Sequence, residues 1–271
     1  MEQEKIKAYE IFLQESGLSR NTVLLYVARA KDFTEVCRNW EDDKSMIHQY
    51  VEHIKTVYRP RTVNIYIISL NRYLKWAGYP DYTVKTNRIQ ARRSLNNVLS
   101  IQEYYTMLDY AVRTGRKKYY MIMRVFAGTG IRVGELRYIT VEAVKAGSVD
   151  VYNKGKSREI YIPNELAKVL LQYCREEHIE AGILFEGKDG KEISRNAVWQ
   201  MLNKLALRAG VDRKKVNPHS FRHLFAKTYM NKYGNLAELG DILGHSNLET
   251  TRIYTISSIE EKRHRMDMLG I

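Results

Sequence analysis

Apolar positions recur at helical spacing through about the first 80 residues and predict four helices. Gly17 separates the first from a second that opens at Ser19 or Asn21, since either side chain can accept a hydrogen bond from a free amide of the first turn. Val23, Val27, Ala30 and Phe33 then make one apolar face. A third helix runs from near Lys44 to Val57 and stops before Arg59-Pro60. The fourth carries Val63, Ile67, Leu70 and Leu74 and ends at Gly78, with Tyr79-Pro80 behind it. Residues 85–97 break the pattern. They hold Lys85, Arg88, Arg92 and Arg93, no acidic residue and few large hydrophobes, as a linker between domains would.

From Val98 onward the chain reads as mainly helical, with one β signal. Val149 and Val151 alternate with polar neighbours, as do Ile160 and Ile162, and Asn153-Lys154-Gly155-Lys156 between them forms turns readily. This predicts a hairpin with a basic tip. Helices follow at about 163–177, 194–209, 218–232 and 236–243, and a last one starts at Ser258-x-x-Glu261, the form of a capping box. The expected fold class is mainly α with a small antiparallel hairpin: a helical domain over 1–84, a linker over 85–97, and an α+β domain over 98–271.

Charge narrows the choice of partner. Lys and Arg number 44 against 31 Asp and Glu, a net +13, and the excess is shared by both domains. A protein this basic suggests a polyanionic partner, usually nucleic acid, and two basic halves suit a clamp around a duplex. Cys37 and Cys174 stand far apart with no CxxC pair, so no disulfide framework or cysteine-rich zinc site is expected. The N-terminus, MEQEKIKAYE, lacks the apolar core of a signal peptide, and no apolar run reaches the roughly 20 residues that span a bilayer. A cytoplasmic protein without a membrane partner is expected.

Four local motifs carry candidate chemistry. AGTGIRVGEL places Arg132 after a Gly-rich turn and at the start of a helix, with Glu135 one turn on. The hairpin tip holds Lys154, with Lys156 and Arg158 close by. Pro218-His219-Ser220-Phe221-Arg222-His223 is an HxxR arrangement opening a helix. Leu243-Gly244-His245 precedes Tyr254 by a short stretch that includes Thr250-Thr251 and Arg252. His219 and His223, four apart, could suggest zinc ligands, but no HExxH glutamate and no third ligand accompany them. No P-loop is present either.

The order Arg, Lys, HxxR, LGH and Tyr resembles the tyrosine recombinase (phage integrase) family over about 98–271, and the four-helix region resembles that family's core-binding domain. The resemblance implies a site-specific DNA recombinase acting in integration, excision or inversion. Tyr254 would be the nucleophile, joined to a 3′ phosphate, and the freed 5′ hydroxyl would later attack a partner duplex. Arg132 and Arg222 offer planar forks for the non-bridging oxygens. A tyrosine of pKa about 10 needs a base, for which His219 is the candidate. Lys154, matching the family's K-G-x-x-R pattern, would protonate the leaving oxygen, and His245 would hydrogen-bond the phosphate, with Glu135 in support. No metal, ATP or other cofactor is implied.

The resemblance also implies a tetramer on two recombination sites, coupled by exchange of the C-terminal helix, whose apolar positions are Ile259, Met266 and Leu269. Packing of that helix in cis is the alternative. The chain leaves no room for an extra arm-binding domain, which points to a simple mobile-element integrase, an invertase or a chromosome-dimer resolvase. Two rival activities share parts of this reading. A type IB topoisomerase has related chemistry, but the short chain and the docking-type tail count against it. A silent DNA-binding regulator on the same fold has no need of the complete catalytic set.

Overall fold

The computed structural model describes residues 2–89, 98–153, 156–187, 190–244, 249–255, 266–268 and 270. The chain divides into two compact units, Met1–Ala91 and Arg92–Ile271.

The first unit contains α1 (Glu2–Glu15), α2 (Arg20–Val36), α3 (Ser45–Val57) and α4 (Pro60–Trp76). Ser19 rather than Asn21 caps α2, its hydroxyl accepting from the Thr22 amide. Pro60 occupies the first turn of α4, where its missing N–H is no loss. The faces read from the sequence close on one core: Val23, Val27, Ala30 and Phe33 of α2 are buried with Val63, Ile67, Leu70 and Leu74 of α4. Large rings fill the centre, with Tyr9 meeting Tyr73 edge-on at 5.1 Å and Phe33 meeting Tyr50 at 5.2 Å.

The second unit opens with α5 (Ile101–Arg113), held by a reciprocal capping box between Ser100 and Glu103. The buried helix α6 (Lys117–Thr129) follows, and Gly130 ends it in the left-handed conformation. A Cβ at residue 130 would stand 2.5 Å from the Phe225 ring, so glycine is required there twice over. AGTG is thus the end of a helix, and Arg132 begins a 3-10 turn, Val133–Tyr138, where the sequence suggested an ordinary helix. The cause is local: Glu135 folds back on the Arg132 amide, and Thr140 caps the next helix, α7 (Val141–Ala146), which ends the turn.

Strands β1 (Ser148–Asn153) and β2 (Lys156–Tyr161) pair antiparallel with Val149 opposite Ile160 and Val151 opposite Arg158. Then come α8 (Asn164–Glu176), α9 (Arg195–Arg208), α10 (Pro218–Tyr233), α11 (Leu236–Leu243) and the short α12 (Glu249–Arg252), continued by a 3-10 turn over Ile253–Thr255. The main core runs from Leu99 to Leu224 and includes Phe126, Phe185 and Phe221. A separate cluster of Ala226, Leu239, Leu243 and Tyr254 joins α10, α11 and the last turn. Cys37 and Cys174 are both free and buried. Among the described residues no helix is long and apolar enough to cross a membrane.

Candidate active site

Three arginines from distant parts of the chain meet at the carboxyl end of α11. Arg158, on β2, donates to the Ile242 carbonyl. Arg222, on α10, donates through Nη2 to the Leu243 carbonyl and through Nη1 to the Gly130 carbonyl at 2.7 Å. Arg132 donates through Nη2 to the Gly244 carbonyl at 3.0 Å. Three consecutive carbonyls, left without partners where a helix stops, are thus each bonded to a guanidinium. The partial negative charge of the helix end offsets part of the cationic crowding.

Glu135 supplies a further part of the compensation. Its side chain is 3% exposed; Oε1 accepts from Arg132 Nη1 at 3.0 Å, and Oε2 accepts from the Arg132 backbone amide at 2.7 Å and from Arg158 Nη2. Burial alone would push this carboxyl up, but the Arg132 amide and the two guanidiniums hold it below the ordinary carboxylate value. Arg222 is buried, and burial together with Arg132 and Arg158 lowers its hold on its proton. Among the described residues, one carboxylate against three guanidiniums leaves a net positive site, which an oxyanion would relieve.

An open cleft of about 250 Å³ adjoins this cluster. Arg132, Glu135 and His219 line it, as do Arg137, Tyr152, Glu192 and Arg195. His219 sits in the first turn of α10, which starts at Pro218 after the Asn217 cap. Desolvation in the cleft wall, then Arg222 and Arg132, lower its pKa, so the imidazole is neutral at neutral pH and able to accept a proton.

Tyr254 is 8% exposed and is not among the residues that line the cleft. Its ring packs among Ala226, Leu239 and Leu243, and against His223. Burial raises the phenol pKa and Arg222 opposes the rise. The described geometry therefore brings Arg132, Glu135, His219, Arg222 and Tyr254 into one region. Lys154 and His245 lie outside the described residues, as do most of 85–97 and the start of the last helix at Ser258. Of the three apolar positions named in that helix, Met266 is described, and it is 71% exposed. Tyr161 and Tyr233 are exposed, and Tyr229 packs against the small apolar cluster that includes Tyr254.

Arg158 is the member of the cluster that the sequence did not single out. The signal was there: it shares a strand face with Ile160, so a cation was due to point inward.

Residues 97–261 match the model of the phage integrase family. The tyrosine recombinase XerA of Thermococcus kodakarensis is 28% identical over 270 residues, spanning 96% of this chain and 93% of that protein. The tyrosine recombinase XerD of Staphylococcus epidermidis is 27% identical over 277 residues, with 92% of each covered. Among solved structures, the Tn1549 transposon integrase in complex with transposon right end DNA superposes with a TM-score of 0.73 at 18% identity, covering 98% of this chain and 99% of that one. That likeness establishes the fold.

Proposed function

The chain belongs to the phage integrase family and is a tyrosine-type site-specific DNA recombinase, and we propose that its strand cleavage runs through Tyr254 on a phosphate held by Arg132 and Arg222. The observation that carries this reading is the bonding of those two arginines to the adjacent carbonyls of Gly244 and Leu243, on the chain segment that leads to Tyr254. The Tyr254 oxygen attacks phosphorus while the bond from phosphorus to the 5′ oxygen breaks. His219 takes the phenolic proton, and Lys154 gives a proton to the leaving oxygen. His245 donates a hydrogen bond to the phosphate, and Glu135 holds Arg132 in place. The two guanidiniums neutralise the charge that develops on the non-bridging oxygens. A later attack by a 5′ hydroxyl on the phosphotyrosyl bond releases the tyrosine. The covalent link conserves the energy of the broken bond, so the cycle needs no ATP.

Double-stranded DNA carrying recombination sites is the partner. Residues 1–84 would serve as a core-binding clamp, 85–97 as the linker and 98–271 as the catalytic domain, with most affinity from phosphate contacts. Four protomers would assemble on two sites through exchange of the C-terminal helix, a reading supported by the exposure of Met266. The protein would act in the cytoplasm, in the integration, excision or inversion of DNA. A nicked suicide substrate tests the chemistry. It should trap a covalent adduct with the wild-type chain, whereas Tyr254→Phe should bind the same DNA and trap none. An adduct with Tyr254→Phe would refute the assignment.

A further inference from the structure

Arg158 is a cation on the inner face of a hairpin. Side chains two apart share a strand face, so it points the same way as Ile160, which is buried, and it pairs across the ladder with buried Val151. Its side chain is 11% exposed, and burying a guanidinium is costly unless its donors are used. They are used by two acceptors on different elements: the Glu135 carboxylate in the 3-10 turn and the Ile242 carbonyl at the end of α11. The stem between them lies across Gly244, so closely that a Cβ there would stand 2.3 Å from Arg158 Cδ. Nε, also buried, has no partner among the described residues. A core position facing Val151 could be filled by an aliphatic residue at lower desolvation cost. The arrangement makes physical sense as a tie rather than as packing.

That tie joins β2 to α11. In the sequence Lys154 stands two residues before the start of β2, the strand that Arg158 fastens. We propose that Arg158 is a positioning residue: it fastens the hairpin to the end of α11 and thereby sets the tip residue against the leaving oxygen. The inference rests on the assignment of Lys154 as the proton donor. Arginine suits the task because its planar fork bonds two acceptors at once, which a lysine ammonium on the same strand cannot reproduce.

The test compares two suicide substrates with the full-length chain. One is ordinary DNA; in the other, sulfur replaces the bridging 5′ oxygen, so that a thiolate leaves and needs no proton. Arg158→Lys and Arg158→Met should cleave ordinary DNA slower on the order of 10²-fold, the scale of lost acid catalysis. They should bind it as the wild type does and regain near wild-type rates on the sulfur substrate. Lys154→Ala serves as the reference and should show the same restoration. Equal slowing of the Arg158 variants on both substrates, with Lys154→Ala restored, overturns the positioning role. So does a loss of DNA binding along with cleavage. A Lys154→Ala chain that sulfur does not restore instead overturns the assignment of the acid.

Discussion

The imidazole of His223 lies against the ring of Tyr254, with centroids 5.4 Å apart and planes inclined at 57°. His219, one turn earlier on α10, lines the cleft instead. The two histidines that could have read as a zinc pair thus face different neighbours. His223 Nδ1 is buried without a partner among the described residues, so the ring acts here as packing for the tyrosine. His223→Ala should leave a void behind Tyr254, destabilise the chain by roughly 2–3 kcal/mol and slow adduct formation. His223→Phe should recover the stability. Thermal melting and adduct rates, measured on both variants, check this.

Both histidines carry pKa values below the ordinary 6.5, through desolvation and neighbouring cations. The unfolded chain therefore binds more protons than the folded one at mildly acidic pH. Stability should be full above about pH 6.5 and fall as pH drops through the folded values. The Tm loss on acidification should be smaller for His223→Phe than for the wild type.

The same sign governs the reaction. His219 serves as a base only while neutral, and its pKa is lowered, so cleavage should stay level through pH 6.5 and decline only as pH falls further, through that lowered pKa. His219→Gln should remove that acidic limb and lower the rate by about 10²-fold or more. A pH profile of single-turnover cleavage is the measurement.

Gly244 adopts φ of +62°, and Arg158 crosses it. Gly244→Ala should therefore cost about 1–2 kcal/mol for the backbone alone, with more from the displaced guanidinium. A lowered denaturation midpoint and lost cleavage are expected, read by urea titration and the suicide substrate.

Glu135→Gln keeps the shape of the carboxylate but removes the counterion of Arg132 and Arg158. The variant should be less stable by about 3 kcal/mol, as a broken buried ion pair usually is. Added sulfate should restore more of its Tm than it adds to the wild type, because an anion that binds the native state stabilises it by mass action.

Much of this molecule could be read locally. The faces of α2 and α4, the hairpin and the Pro218 start of α10 follow from spacing and turn chemistry, which depend on near neighbours. The choice of Ser19 over Asn21 did not, since both can cap. The 3-10 form of Val133–Tyr138 was hidden because it depends on Glu135 turning back and on Thr140 starting the next helix. The bonding of Arg158, Arg222 and Arg132 to carbonyls 242–244 was hidden for a different reason. Those contacts join residues 84, 21 and 112 positions apart, and no periodicity records such a distance. Tyr254 shows both limits: one of twenty tyrosines, it was marked by its place in an ordered set of motifs, while its burial against His223 came only with the fold.

The central claim is that Tyr254 becomes the DNA-linked residue. Digesting the trapped adduct with protease and nuclease, then sequencing the nucleotide-bearing peptide by mass spectrometry, tests it most directly. The mass of the nucleotide should fall on Tyr254 in the peptide Ile253-Tyr254-Thr255-Ile256-Ser257-Ser258-Ile259-Glu260-Glu261-Lys262 that trypsin releases. A nucleotide carried by Tyr229, Tyr233 or any residue other than Tyr254 would contradict the account.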